Sequence, residues 1–248
     1  MHLTIPLRRA SGCALRLTAG IVFLTLLALS HPAAAQSKNR APGFEALRKE
    51  ATVAIIPTDI ELFEISAGGV LEPKADWTEA ALKHFKAALN EKKKSLGIKS
   101  IELTDKDADD VAEINALHAA VARSIALHHF GPGFYNLPTK EGKLDWSLGE
   151  VTREIKKKTG ADYALFSWIR DSYASGERVM TIILLALLSR GQAVAGGGAQ
   201  VGYASLVELD TGRVLWFNRL ARGTGDLREA DKAAETLNAL LADFPGVK

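Results

Sequence analysis

Three groups of side chains have the types and spacing to do chemistry. The first is Asp210-Thr211-Gly212, which matches the tripeptide that, in duplicate, forms a proton-sharing carboxylate pair for peptide hydrolysis. That motif continues with Ser or Ala; here Arg213 follows, and the chain holds a single copy, so a dimer would have to supply the second carboxylate. The second group is the acidic stretch Asp59 and Glu61, with Glu64 and Glu72 nearby. Two of these could act as acid and base on a glycosidic bond. Carboxylates two apart on extended chain also make an ordinary solvated strand face, which is the favoured reading. The third group is His118, His128 and His129. On one helix, ten residues separate His118 from His128 by about 15 Å, too far to share an ion, and adjacent residues point about 100° apart. HExxH is absent. The glycine run at 195–199 lacks the Gly-Lys-Ser/Thr of a phosphate loop and leads toward a strand, so it reads as a joint or a tight bend. No catalytic constellation, cofactor site or metal site emerges, and a non-enzymatic protein is expected. A hydrolase using Asp59, Glu61 or Asp210 is the weakest alternative. A small-ligand or polysaccharide binder, with Trp77, Trp146 and the 131–144 loop lining a cleft, is the stronger one.

The elements that must position these residues begin after a targeting signal. Arg8, Arg9 and Arg16 precede or open an apolar core at 17–29, and Ala33-Ala34-Ala35 fits the small-x-small cleavage pattern. Residues 1–35 therefore read as a signal peptide cut between Ala35 and Gln36. Cys13 precedes the apolar core, whereas a lipidated Cys would follow it, so a lipoprotein is not expected. Cleavage leaves no cysteine, and a periplasmic location without disulfides fits. It also removes three Arg and no acid, leaving 28 basic and 29 acidic residues. That balance offers no electrostatic case for nucleic acid.

The 213 residues that remain suffice for one domain with a core. Residues 36–50 read as a flexible lead-in with a short helical turn at 44–50, and 51–248 as a single domain. Thr52-Val53-Ala54-Ile55-Ile56, stopped by Pro57, reads as a buried strand. Residues 59–65, 98–103 and 161–169 are further strand candidates. Four cap signals, Asp76-x-x-Glu79, Thr104-x-x-Asp107, Ser147-x-x-Glu150 and Asp226-x-x-Glu229, predict helices over 77–94, 107–130, 147–158 and 227–243. The clearest pattern is 203–218, where two runs rich in Val, Leu and aromatics flank Asp210-Thr211-Gly212. It predicts a hairpin whose Gly212 takes positive φ. The expected fold is α/β (α+β): a mixed sheet of about five strands with helices packed on it, and a C-terminal hairpin followed by a helix.

One stretch fits none of these patterns. Residues 179–188, Val-Met-Thr-Ile-Ile-Leu-Leu-Ala-Leu-Leu, are apolar on nearly every side and bracketed by Arg178 and Arg190. They read as part of an apolar, glycine-rich insertion over 176–200. The run is too short to span a bilayer as a helix and does not alternate like a barrel strand. The cost of all-round apolar exposure favours burial in the core. The functional reading offers Ile183, Leu184, Leu187 and Leu188 to a partner protein or, as peripheral contact, to a membrane surface.

The order of elements resembles the αβ domain of bacterial envelope proteins, the group of the TolB amino-terminal domain and the curli secretion protein CsgG. Val53-Ala54-Ile55-Ile56-Pro57, Gly160-Ala161-Asp162-Tyr163-Ala164-Leu165 and the hairpin at 204–216 carry the resemblance, over most of 52–244. It implies a domain that binds other envelope proteins, not one that does chemistry. The chain lacks the secretion pore's lipidated Cys and its alternating membrane hairpins.

Overall fold

The computed structural model describes residues 37–189 and 197–248. The expected signal peptide, its Ala35/Gln36 cleavage point, Cys13 and the first two residues of the glycine run at 195–199 lie outside the described residues.

The organising strand is β5 (Tyr163–Ala174). One edge of it carries two strands in succession: β1 (Thr52–Ile55) pairs along 163–165 and β2 (Asp59–Ile65) along 168–174, both parallel. Pro57 falls between β1 and β2, where it withholds a donor from no ladder. Further out, β3 (Leu71–Pro73) pairs antiparallel with β2, and β4 (Lys99–Glu102) pairs parallel with β1. The other edge of β5 carries β6 (Gly198–Glu208) and then β7 (Val214–Arg222), both antiparallel to their neighbours. The result is one mixed sheet of seven strands where about five were expected. The three residues of β3 are too few to show an alternation.

Alternate residues of the strands enter two apolar layers. Val53, Ile55, Leu165, Ile169, Leu206 and Trp216 face α1 (Ala75–Leu96) and, near the end of the chain, α5 (Ala230–Leu240). Ala54, Ile56, Phe166, Tyr203, Val207 and Phe217 face α2 (Ala108–His128) and α3 (Arg153–Thr159). The buried stripes Ala81-Phe85-Leu89 and Val111-Ile114-His118 follow helical spacing.

The expected cap signals located two helix starts and missed the other two. α1 and α2 begin within two residues of expectation, but no side chain caps either. Ser147 instead accepts from the Gly149 amide and donates to the Thr211 carbonyl, and only a 3-10 turn at Glu150–Thr152 precedes α3. Asp226 accepts from the Arg228 amide and guanidinium, and α5 starts later, at Ala230. The residues expected as caps were drawn into turns, where Asp and Ser compete equally well for backbone donors.

The expected helical turn at 44–50 is absent, and the expected flexible lead-in is tied down. The Ala41 amide donates to Leu215 O (2.8 Å), and the Phe217 amide donates to Asn39 O (2.9 Å). Ala41 and Leu47 are buried. This segment closes the outer edge of β7, which would otherwise present unpaired backbone groups.

The hairpin turn is as expected, with Gly212 at φ 71°. Its backbone is also packed: a Cβ there would lie 2.1 Å from the Gly149 carbonyl oxygen. Gly212→Ala thus combines left-handed strain with a backbone clash. We expect it to lower unfolding free energy by about 1–3 kcal/mol in urea titrations, well above the few tenths typical of a surface change.

Candidate docking surface

The residues with catalytic potential are spoken for. Asp59 and Glu61 lie on the same face of β2, as expected, and both pair with Arg170 of the adjoining β5, at 2.8 and 3.2 Å. Asp210 lies at the exposed hairpin turn and pairs with Lys156 Nζ at 2.6 Å. That ammonium holds its carboxyl below the usual carboxylate range, the wrong direction for a general acid at neutral pH. His118 is buried, stacked on Phe166 with ring centroids 4.2 Å apart and hydrogen-bonded to Ser205 Oγ. His128 Nδ1 donates to Tyr135 O, and His129 Nε2 donates to Lys38 O, each at 2.7 Å. Among the described residues, no three His, Cys, Asp or Glu side chains converge as a metal site.

The cleft imagined between Trp77 and Trp146 does not form, because the two rings belong to opposite apolar layers of the sheet. Trp77 packs edge-on to Tyr173 and carries Arg228 over its face. Trp146 lies between His128 and Lys140, beside the 131–144 loop.

The apolar stretch is resolved as a helix, α4 (Gly176–Leu188). Its start signal was missed in the sequence. Ser175 Oγ accepts from the Arg178 amide (3.1 Å), and Glu177 occupies the first turn, an ordinary cap ahead of an apolar run. The expectation of burial in the core is overturned: no residue of α4 is buried. Ile183, Leu184, Leu187 and Leu188 are 48%, 56%, 73% and 74% exposed. The reason is topological. β5 and β6 form one long hairpin, and α4 lies within its connection, past the end of the ladder at Tyr173–Gly198. The two apolar layers are completed by α1 with α5 and by α2 with α3, and α4, beyond the end of the ladder, adds no buried residue to either.

The base of this helix is firmly held. The Ser175 amide donates to Ile65 O, and the Ala174 amide to Gly197 O. Directly before it lies a buried polar network that sequence reasoning did not find. Asp171 accepts from Tyr173 Oη and from Gln200 Nε2 (2.6 Å); Gln200 Oε1 accepts from Arg222 Nε (2.8 Å) and from Thr236 Oγ1 (3.1 Å). Burial pushes the Asp171 carboxyl up. The network joins β5, β6, β7 and α5. Its signal was an acid in the inward register, two residues after Ile169. The adjacent β2–β3 hairpin exposes Val70 and Leu71, and Gly69 at its tip lies against the Arg178 guanidinium. Among the described residues, no helix is long and apolar enough to cross a membrane.

No protein-family model matches the chain, and no curated protein matches it. Among solved structures the chain is similar to a PelC dodecamer from Paraburkholderia phytofirmans, at 12% identity and TM-score 0.34, covering 81% of this chain and 96% of that one. It is similar to lipoprotein GNA1162 from Neisseria meningitidis, at 12% identity and TM-score 0.31, covering 78% and 99%. It is also similar to the LpoB C-terminal domain from Salmonella enterica, at 12% identity and TM-score 0.27, covering 73% and 87%. At such scores these likenesses carry no functional inference, which rests on the chain's own residues.

Proposed function

We propose that this is an exported, periplasmic, non-enzymatic protein of the bacterial envelope that serves as a protein–protein contact or assembly module. Its contact is α4, which docks on an apolar surface of an envelope partner. The observation that carries this reading is the exposure of Ile183, Leu184, Leu187 and Leu188 on a capped helix with a hydrogen-bonded base. Each such side chain gains on the order of 1–2 kcal/mol on burial, so leaving them in water is costly unless a partner covers them. The non-enzymatic reading is supported by the ion pairs that occupy Asp59, Glu61 and Asp210.

The test is Leu184→Asp together with photo-crosslinkers at Ile183 and Leu187. Because α4 contributes no buried residue, Leu184→Asp should change stability by less than about 1 kcal/mol. It should abolish the crosslinks and release the protein from its envelope partner. Unfolding of the variant would make α4 part of the core. Crosslinking to lipid alone would replace the protein partner with a membrane surface.

A further inference from the structure

The register of the sheet leaves a notch. β4 covers β1 along Thr52–Ile55, and β3 covers β2 only along Phe63–Ile65. On that side, residues 56–61 have no strand beside them among the described residues. The Leu103 amide closes the lower end by donating to Ile55 O (3.0 Å). The entry to α1 closes the upper end: the Lys74 amide donates to Leu62 O (2.9 Å), and the Leu62 amide donates to Thr78 Oγ1 (3.0 Å).

The notch also lies where parallel α/β sheets open. From β1 the chain runs through β2 and β3, then returns beside β1 as β4 by way of α1 on one face. It then crosses through α2 and α3 on the opposite face to β5, on the other side of β1. Such a reversal of strand order leaves a crevice outside the carboxyl ends of the parallel strands. Here the crevice is a cavity of about 260 Å³ at the carboxyl ends of β1 and β4, under α1.

Its floor is apolar: Ile56, Phe85, Leu89 and Leu103, all buried. Its rim is basic. Glu102 is held by Lys93, and Lys86 approaches it at 3.9 Å. Lys83 and Asn90 line the same cavity, and neither side chain has a hydrogen bond or ion pair among the described residues. They are seven residues apart on α1, about 10 Å along the helix axis. A free ammonium and a free carboxamide at the rim, above an apolar floor, suit an acid group joined to a short hydrocarbon body.

We propose that this notch binds a small amphipathic carboxylate, with its acid group on Lys83 and its hydrocarbon body over Phe85, Leu89 and Leu103. The site shares no residue with α4 and is independent of the docking role. The test uses the protein as purified from its host and sodium octanoate as probe, with octanol and octylammonium as charge controls. Octanoate should raise the melting temperature, because it binds the folded state alone. Amide resonances of Ile55, Ile56 and Thr58, and those at 82–90 and 102–104, should shift. Lys83→Met should weaken octanoate about tenfold, the value of one charge-assisted hydrogen bond, and leave octanol unchanged. Leu82→Trp, at the mouth, should abolish both. Shifts confined to 179–188, equal binding of octanoate, octanol and octylammonium, or no shift at all would each overturn the assignment. Leu184→Asp should leave octanoate binding intact, so this site and the α4 contact fail or succeed separately.

Discussion

Between pH 6.5 and pH 3 this protein is expected to lose roughly 4–5 kcal/mol of stability through one side chain, His118. Burial pushes its imidazole from 6.5 down to about 3. The ring is stacked on Phe166 and hydrogen-bonded to Ser205, and no carboxylate among the described residues pairs with it. In the folded chain it stays neutral, while in the unfolded chain it takes up a proton below pH 6.5. The contribution is therefore complete above 6.5 and drains as pH falls toward 3, at about 1.4 kcal/mol per unit, or about 2 kcal/mol by pH 5. Asp171 has the opposite sign. Its raised carboxyl favours the folded state at low pH and withdraws that support as pH rises through its folded value. Urea titrations at pH 7, 5 and 4 would read the balance. The comparison is the double variant His118→Phe, Ser205→Ala, which keeps an aromatic ring on Phe166 and leaves no orphaned hydroxyl. Its stability should fall less steeply below pH 6.5 than that of the wild type. Equal slopes would mean that His118 is not the group being titrated.

Trp216→Ala should cost about 3–5 kcal/mol, the usual range for deleting a large buried aromatic. Trp216 is fully buried on β7, opposite Leu206, with the Phe244 ring edge-on at 5.0 Å. Its backbone bridges to Arg40, so the same residue joins the hairpin, the amino-terminal segment and the end of the chain. Trp216→Phe should be much milder. The indole N–H is buried and finds no acceptor among the described residues, so its removal also relieves an unsatisfied donor. Denaturation midpoints of the two variants at pH 7 would show the contrast. If the Phe variant were as damaged as the Ala variant, the indole N–H would have to be satisfied in solution.

Much of the frame was legible because its signals are local and repeated. The run at 52–56 ahead of Pro57 became β1, and Asp210-Thr211-Gly212 became a hairpin turn with Gly212 at positive φ. The ranges of α1 and α2 were legible as well, each starting within two residues of expectation. Cap signals were weaker guides. A cap contributes about 1 kcal/mol, no more than the turn that Asp226 or Ser147 makes instead. The candidate surface was half legible. Ile183, Leu184, Leu187 and Leu188 stood out by composition, but a run apolar on all sides has no periodicity to orient it.

The sequence alone determined the places of β1, β2, β4 and the first part of β5, the two long helices α1 and α2, where the hairpin turns, and that 179–188 is an anomaly needing a partner or a core. Each follows from propensity and periodicity among near neighbours. The tertiary structure alone decided that α4 is outside the core, because that depends on its lying past the end of the β5–β6 ladder, away from both apolar layers. It decided that His118 meets Ser205, 87 residues away, and that Arg170 takes both Asp59 and Glu61. It also decided the notch. A gap between β4 and β3 exists only in the register of strands distant in sequence, and no local pattern encodes that register.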